Sequence, residues 1–110
     1  MKTEQINKAM AVLDGFVLEL HAGIYIHVQR GNGPTCIPNY LNPVKGHGHL
    51  QRIIDWLGFG LGQIYDKELR TICLRDGTYV RNATVEQKAE AILRAVGEWE
   101  NEPKEQDESD

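Results

Sequence analysis

The 110-residue chain contains a single serine, Ser109, and it lies in the acidic C-terminal segment. No Gly-x-Ser-x-Gly turn is present, so the serine-nucleophile elbow of hydrolases is excluded. Cysteine is equally sparse. Cys36 and Cys73 stand alone, without the paired C-x2-C spacing of a zinc ribbon or a redox motif. They are expected to be two separate buried thiols rather than a disulfide. No apolar run approaches the roughly 20 residues needed to span a bilayer. The start, Met1-Lys2-Thr3-Glu4-Gln5, is polar and has no resemblance to a secretion signal. A cytoplasmic protein with no membrane association is therefore expected.

An excess of positive charge is also missing. The formal net charge is -4. The last ten residues hold Glu102, Glu105, Asp107, Glu108 and Asp110 against one base, Lys104. That segment carries the whole imbalance and leaves residues 1–100 with equal numbers of acids and bases. A neutral body with an acidic tail argues against bulk nucleic-acid binding, which needs a basic face to displace counterions. The expected organisation is a single α+β domain over residues 1–100 followed by a disordered acidic tail, 101–110. A chain of this size buries enough surface to fold without disulfides or a structural metal, and no cofactor is expected.

Hydrophobic periodicity places the elements. Thr3 is positioned to cap a first helix, along which Ile6, Met10 and Leu13 recur at helical spacing. Asp14-Gly15 ends it. The period then becomes two. Phe16, Leu18 and Leu20 form one apolar set, Ile24, Ile26 and Val28 a second, and Ala22-Gly23 between them predicts a hairpin with both sets inward. Gly31-Asn32-Gly33-Pro34 stops the second strand. After a proline-restricted loop, Gly46-His47-Gly48-His49 leads into a helix with Leu50, Ile53, Ile54 and Leu57 as its apolar stripe. Gly58, Gly60 and Gly62 read as a loop. Ile64-Tyr65, Leu69 to Leu74 and Thr78 to Arg81 read as strands, the last two joined at Asp76-Gly77, a favoured hairpin turn. Thr84 and Gln87 have capping-box spacing before a final helix that buries Val85, Ala89, Ile92, Leu93 and Val96. The predicted order is α-β-β-α-β-β-α, an antiparallel sheet with helices packed on it.

The last helix, Asn82-Ala83-Thr84-Val85 through Val96, resembles the C-terminal helix of the phage ABA sandwich domain family. Ile37-Pro38-Asn39-Tyr40 and the later Trp56-Leu57 resemble that family's central segment. The similarity spans most of residues 3–99. After Tyr40 the chain departs from the family's Ser/Thr-x-Asp cap, with Leu41-Asn42-Pro43 leading to a Gly/His-rich insertion instead. The resemblance implies a phage or prophage origin and an α+β fold. Because the family is mostly uncharacterised, it implies no particular activity.

Few constellations carry chemistry. Gly46-His47-Gly48-His49 at a helix start, with Lys45 and Arg52 beside it, has the residue types of an anion pocket. Trp56 and Arg81 are candidates for stacking and charge in the same pocket. The plain alternative is a solvated loop. His47 and His49, with His21, His27, Cys36 and Cys73, are a weak metal-ligand set because no tight pair occurs among them. Gly58-Phe59-Gly60-Leu61-Gly62 follows a helix instead of a strand, so a phosphate loop is not expected. Asp66 and Glu68 alternate with Lys67 and Arg70 as a solvated face would. Trp56, Trp99, Tyr25, Tyr65 and Tyr79 are either core or interface anchors.

The expectation is a small phage accessory protein that acts by binding in the host cytoplasm. Its partner would be a small anionic ligand such as a signalling nucleotide, sequestered as counter-defence, or a host protein that it inhibits. Homo-oligomerisation is expected. The alternatives are a structural homo-oligomeric module, or a small ligand-modifying enzyme with His47 or His49 as general base.

Overall fold

The computed structural model describes residues 1–29, 33–34 and 36–100. The elements run α1 (Thr3–Leu13), β1 (Phe16–His21), β2 (Ile24–Gln29), β3 (Gly33–Pro34), α2 (Gly46–Trp56), α3 (Gly58–Asp76), a 3-10 turn (Val80–Asn82) and α4 (Val85–Ala95). The class is α+β, with antiparallel strands in the order β1-β2-β3. The acidic tail 101–110, expected to be disordered, lies outside the described residues. So do Gly31 and Asn32 of the expected strand stop.

Three elements form as the sequence pattern indicates. In α1, Ile6 and Met10 are buried and Leu13 packs at the core edge. Lys2 is its N-cap in place of Thr3, and its backbone N–H donates to Gln5 Oε1 at 2.8 Å. In α4 the capping box is complete. Gln87 N–H donates to Thr84 Oγ1 at 3.1 Å, and Thr84 N–H donates to Gln87 Oε1 at 2.9 Å. Gly46, the first residue of α2, is held against Tyr40. A Cβ there would sit 2.4 Å from the Tyr40 carbonyl oxygen, so only glycine permits the contact.

The expected later strands do not form: Ile64-Tyr65 and Leu69 to Leu74 are helical, and Thr78 to Arg81 runs through extended Tyr79 into the 3-10 turn. Residues 58 to 76 form the longest helix, α3, which packs along α4. The Gly60 and Gly62 expected in a loop lie inside it, as do Ile64-Tyr65 and Leu69 to Leu74. Tyr65, Leu69, Ile72 and Cys73 are its buried residues, spaced i, i+4, i+7, i+8. Asp76-Gly77 ends the helix where a hairpin turn was expected. Gly77 is left-handed (φ 70), Thr78 N–H reaches Cys73 O at 2.9 Å, and Gly77 N–H reaches Leu74 O at 3.4 Å. This 6→1 and 5→2 pair is a Schellman cap.

The hairpin also departs from expectation, in its faces. Register pairs Phe16 with Gln29, Leu18 with His27, Leu20 with Tyr25, and His21 with Ile24. Directly opposed residues share a face. Phe16, Leu18 and Leu20 therefore stand on one face with Tyr25, whereas Ile24, Ile26 and Val28 stand on the other with Val17. The two apolar sets do not face the same way. Of all these residues only Phe16 is buried. The core lies instead among the helices, around Met10, Tyr40, Leu50, Ile53, Ile92 and Leu93.

Among the described residues, no helix is long and apolar enough to cross a membrane.

Candidate functional site

The Gly/His segment expected before α2 forms its first turn. Helical geometry then splits the two histidines, because residues two apart point away from each other. His47 turns toward α4, where its Nδ1 accepts from Lys88 Nζ at 3.1 Å. This contact sits beside a small hollow of about 220 Å³ lined by Pro43, Asn82 and Thr84. His49 turns toward the C-terminus of α1. Lys45, one turn before His49, is exposed; its backbone N–H donates to Asn42 Oδ1, and its charge acts on His49 only as a minor contribution. Arg81 lies in the 3-10 turn, 5.1 Å above the ring of exposed Tyr79. Of the six expected pocket residues, the fold joins only His49, Arg52 and Trp56.

Those three stand along one face of α2 next to Asp14. The Asp14 carboxylate is nearly out of water and takes three polar contacts. Tyr40 Oη donates to its Oδ2 at 2.7 Å, as does Arg52 Nη2 at 2.7 Å, while Arg52 Nε reaches Oδ1 at 3.4 Å. The remaining guanidinium nitrogen, Nη1, donates to His49 Nδ1 at 2.9 Å. His49 also meets the Tyr40 ring edge-on, with centroids 6.0 Å apart. Burial holds the His49 pKa below its ordinary value, and the Arg52 charge adds to that. The imidazole therefore stays neutral at pH 7 and accepts at Nδ1. Tyr40 is driven upward by burial and then by its bond to Asp14, so it stays protonated.

This arrangement is closed on itself. Every nitrogen of the Arg52 fork has a partner, and the charge of Asp14 cancels that of Arg52. The groove alongside, about 210 Å³ between Val12, Leu13, Gly15, Arg52 and Trp56, meets no free cation of Arg52. His47 and His49 both spend an Nδ1 lone pair on a cation, and among the described residues neither ring is hydrogen-bonded to a carboxylate that would orient a general base. Cys73 is buried with its thiol pushed up by burial, so its nucleophilic thiolate is suppressed; Cys36 is exposed, and both are free thiols. Among the described residues, no three His, Cys, Asp or Glu side chains stand together to hold a metal ion.

A larger concavity lies elsewhere, between α1 and the hairpin. It measures about 530 Å³. Ala11, Val12, Phe16, Val17, Leu18 and Ile37 supply its apolar walls, and Glu4, Lys8 and His27 stand around them. Beyond it the hairpin continues into solvent, with Leu20 59 % exposed and Ile24 and Tyr25 each 66 % exposed. The sequence pattern missed this groove. Its signal was the run Phe16-Val17-Leu18, which leaves β1 without a polar face over its first half.

No protein-family model, curated protein or solved structure matches the chain.

Proposed function

We propose that the chain is a small binding protein whose target is another protein, held at the groove between α1 and the β1–β2 hairpin. The observation that carries this reading is the hairpin with apolar side chains on both faces. β3 adds only two residues beside the end of β2, and so small a ribbon is marginal in water unless something covers it. Among the described residues α1 covers the Phe16 end of one face, Ile26 and Val28 on the other face are half-buried, and the turn end stands in solvent. Contiguous exposed apolar surface of this kind marks contact sites.

The groove's apolar walls with Glu4, Lys8 and His27 around them fit an amphipathic segment carrying charges of both signs. In the phage setting that the sequence resemblance implies, this target is a host protein met in the host cytoplasm. The nucleotide-sequestering version has less support. It needs a concavity that brings a free cation to an aromatic platform, whereas Arg52 is committed to Asp14 and His49, and Arg81 with Tyr79 lines none of the hollows described above.

Site-specific photo-crosslinking tests the proposal. A benzophenone amino acid replacing Lys8 should capture one discrete host protein. Val12→Glu combined with Val17→Glu should abolish that band, and Leu74→Glu, on exposed α3 surface, should leave it. If the band is missing, or survives the groove double variant, the groove reading is wrong.

A further inference from the structure

We infer that β1 is a self-association edge, and that two copies of the chain pair β1 against β1 across a two-fold axis at Leu18. The inference rests on reading the hairpin as a working surface and names a second occupant for it, beside the groove.

Among the described residues β1 is the outer strand, paired only with β2. Ala22 and Gly23 both have positive φ, 50 and 82, which makes the connection a type I′ turn. In a two-residue hairpin the closing pair, His21 and Ile24, exchanges both backbone bonds. Alternation then directs the backbone N–H and C=O groups of Val17, Glu19 and His21 toward β2. Those of Phe16, Leu18 and Leu20 point away from it, toward the open edge. Such an edge templates another strand unless it is defended. β1 contains neither proline nor lysine, and its ladder with β2 is unbroken from Phe16 to His21. Leu18 and Leu20 are 57 % and 59 % exposed.

The sequence of β1 selects a second copy and a register. Two identical antiparallel strands related by a two-fold axis normal to the sheet keep like faces together, so the axis passes through a residue. Only axes at Leu18 or Glu19 pair as many as five residues within the strand. The Glu19 axis sets Glu19 against its own copy, and directly opposed like charges destabilise a sheet. The Leu18 axis sets leucine on leucine, Phe16 on Leu20, and Val17 against Glu19. It joins the face carrying Phe16, Leu18 and Leu20 into one apolar strip across both copies. Residues 1–100 carry no net charge, so the net negative charge of each copy lies in its last ten residues. Two grooves, each walled by its own α1, then open on the same side of one continuous sheet. An edge contact of this length buries less than the ~800 Å² per partner of a standard stable interface, so the dimer is reversible.

Sedimentation of the full chain over concentrations from about 10 to about 500 µM tests this, a range that resolves weak association. The expected result is a mass that doubles with concentration. Leu18→Lys, which brings two ammonium groups together on the axis, should hold the chain at monomer mass, and Leu74→Lys should not. A wild-type chain that stays monomeric overturns the inference, as does a Leu18→Lys chain that still dimerises. Should Leu18→Lys fail to fold, hydrogen exchange on the wild type decides. The outward amides of Leu18 and Leu20 should gain protection as concentration rises, and rates that ignore concentration overturn the proposal. The groove crosslink with a host protein is read separately, so loss of either result leaves the other interpretable.

Discussion

The phenol of Tyr40 donates to Asp14 Oδ2 at 2.7 Å, with Tyr40 buried and the carboxylate nearly so. The bond spans 26 residues and fastens the segment before α2 to the C-terminus of α1. Arg52 adds α2 to the same carboxylate, and Gln29 Nε2 adds the hairpin through the Asp14 carbonyl oxygen at 3.3 Å. One residue at the end of α1 thus collects three other parts of the chain.

Removing members of that cluster should cost stability in a graded way. Tyr40→Phe deletes one bond and leaves Asp14 paired with Arg52; the expected loss is about 1 kcal/mol. Arg52→Met leaves a nearly buried carboxylate without its counter-ion, with an expected loss of about 2 kcal/mol, moderated because the Arg52 end of the pair is half exposed. Urea denaturation of the three proteins checks the order. Equal midpoints for all three would mean that the cluster contributes nothing.

The same cluster gives the protein a pH dependence in one window. Burial and then Arg52 lower the folded-state pKa of His49, while Asp14 opposes them and Lys45 adds to them. The unfolded histidine takes up its proton near pH 6.5 and the folded one at lower pH, so in between the unfolded state binds more protons. Stability is therefore full above about pH 6.5 and falls as pH drops below it. Asp76, held at about 2 by Arg75 and Gln87, stays ionised through this range and does not contribute. Urea midpoints at about pH 7.5 and about pH 5.5 should differ in wild type and converge in His49→Gln. An unchanged difference in the variant would assign the slope to another group.

Glycine substitutions separate the helical form of residues 58–76 from the two strands that the sequence pattern predicts. Gly60 and Gly62 lie inside α3, and a Cβ at either meets nothing within 4 Å. Gly62→Ala should stabilise by about 0.5–1 kcal/mol, since alanine loses less backbone entropy in a helix. Gly46→Ala should do the reverse, because its Cβ would fall 2.4 Å from a backbone oxygen; overpacking of this kind costs about 1–3 kcal/mol. Thermal melts of the two variants should move in opposite directions from wild type. A Gly62→Ala protein that melts lower would contradict the helix.

These residues also show what the sequence pattern carried. α1, the β1–β2 hairpin and α4 were legible because each has one dominant period and a recognisable end: Asp14-Gly15, Ala22-Gly23 and the Thr84–Gln87 box. α3 was misread because its ending imitates another motif. Asp-Gly serves both an I′ hairpin turn and a left-handed helix cap, and local sequence does not decide between them. The helical spacing of Tyr65, Leu69, Ile72 and Cys73 was present, but glycines at 58, 60 and 62 masked the helix start. The hairpin faces were misassigned for a different reason. Periodicity finds alternation within a strand, whereas the face shared between strands depends on turn length. With a two-residue turn, even positions of β1 oppose odd positions of β2. The Asp14–Tyr40–Arg52 cluster was not legible, because its members lie 26 and 38 residues apart and only tertiary packing joins them.

The turn of the hairpin offers the last test, because it links backbone strain to the proposed binding surface. Ala22 holds φ 50 in a conformation that disfavours a side chain, by roughly 1 kcal/mol for alanine. Asparagine tolerates that region and, with Gly23, forms the preferred I′ dipeptide. Ala22→Asn should therefore stabilise the hairpin by about 0.5–1 kcal/mol. The core lies among the helices, so the gain should show as slower local opening with little change in the global midpoint. Amides of Val17, Glu19 and Ile26 should exchange roughly twofold to fivefold more slowly, and Ala22→Val should speed them by at least as much. If the binding surface depends on a formed hairpin, the crosslink from position 8 should strengthen in Ala22→Asn and weaken in Ala22→Val. Exchange that changes in step with the turn while the crosslink stays constant would place the partner on the helices instead of the hairpin.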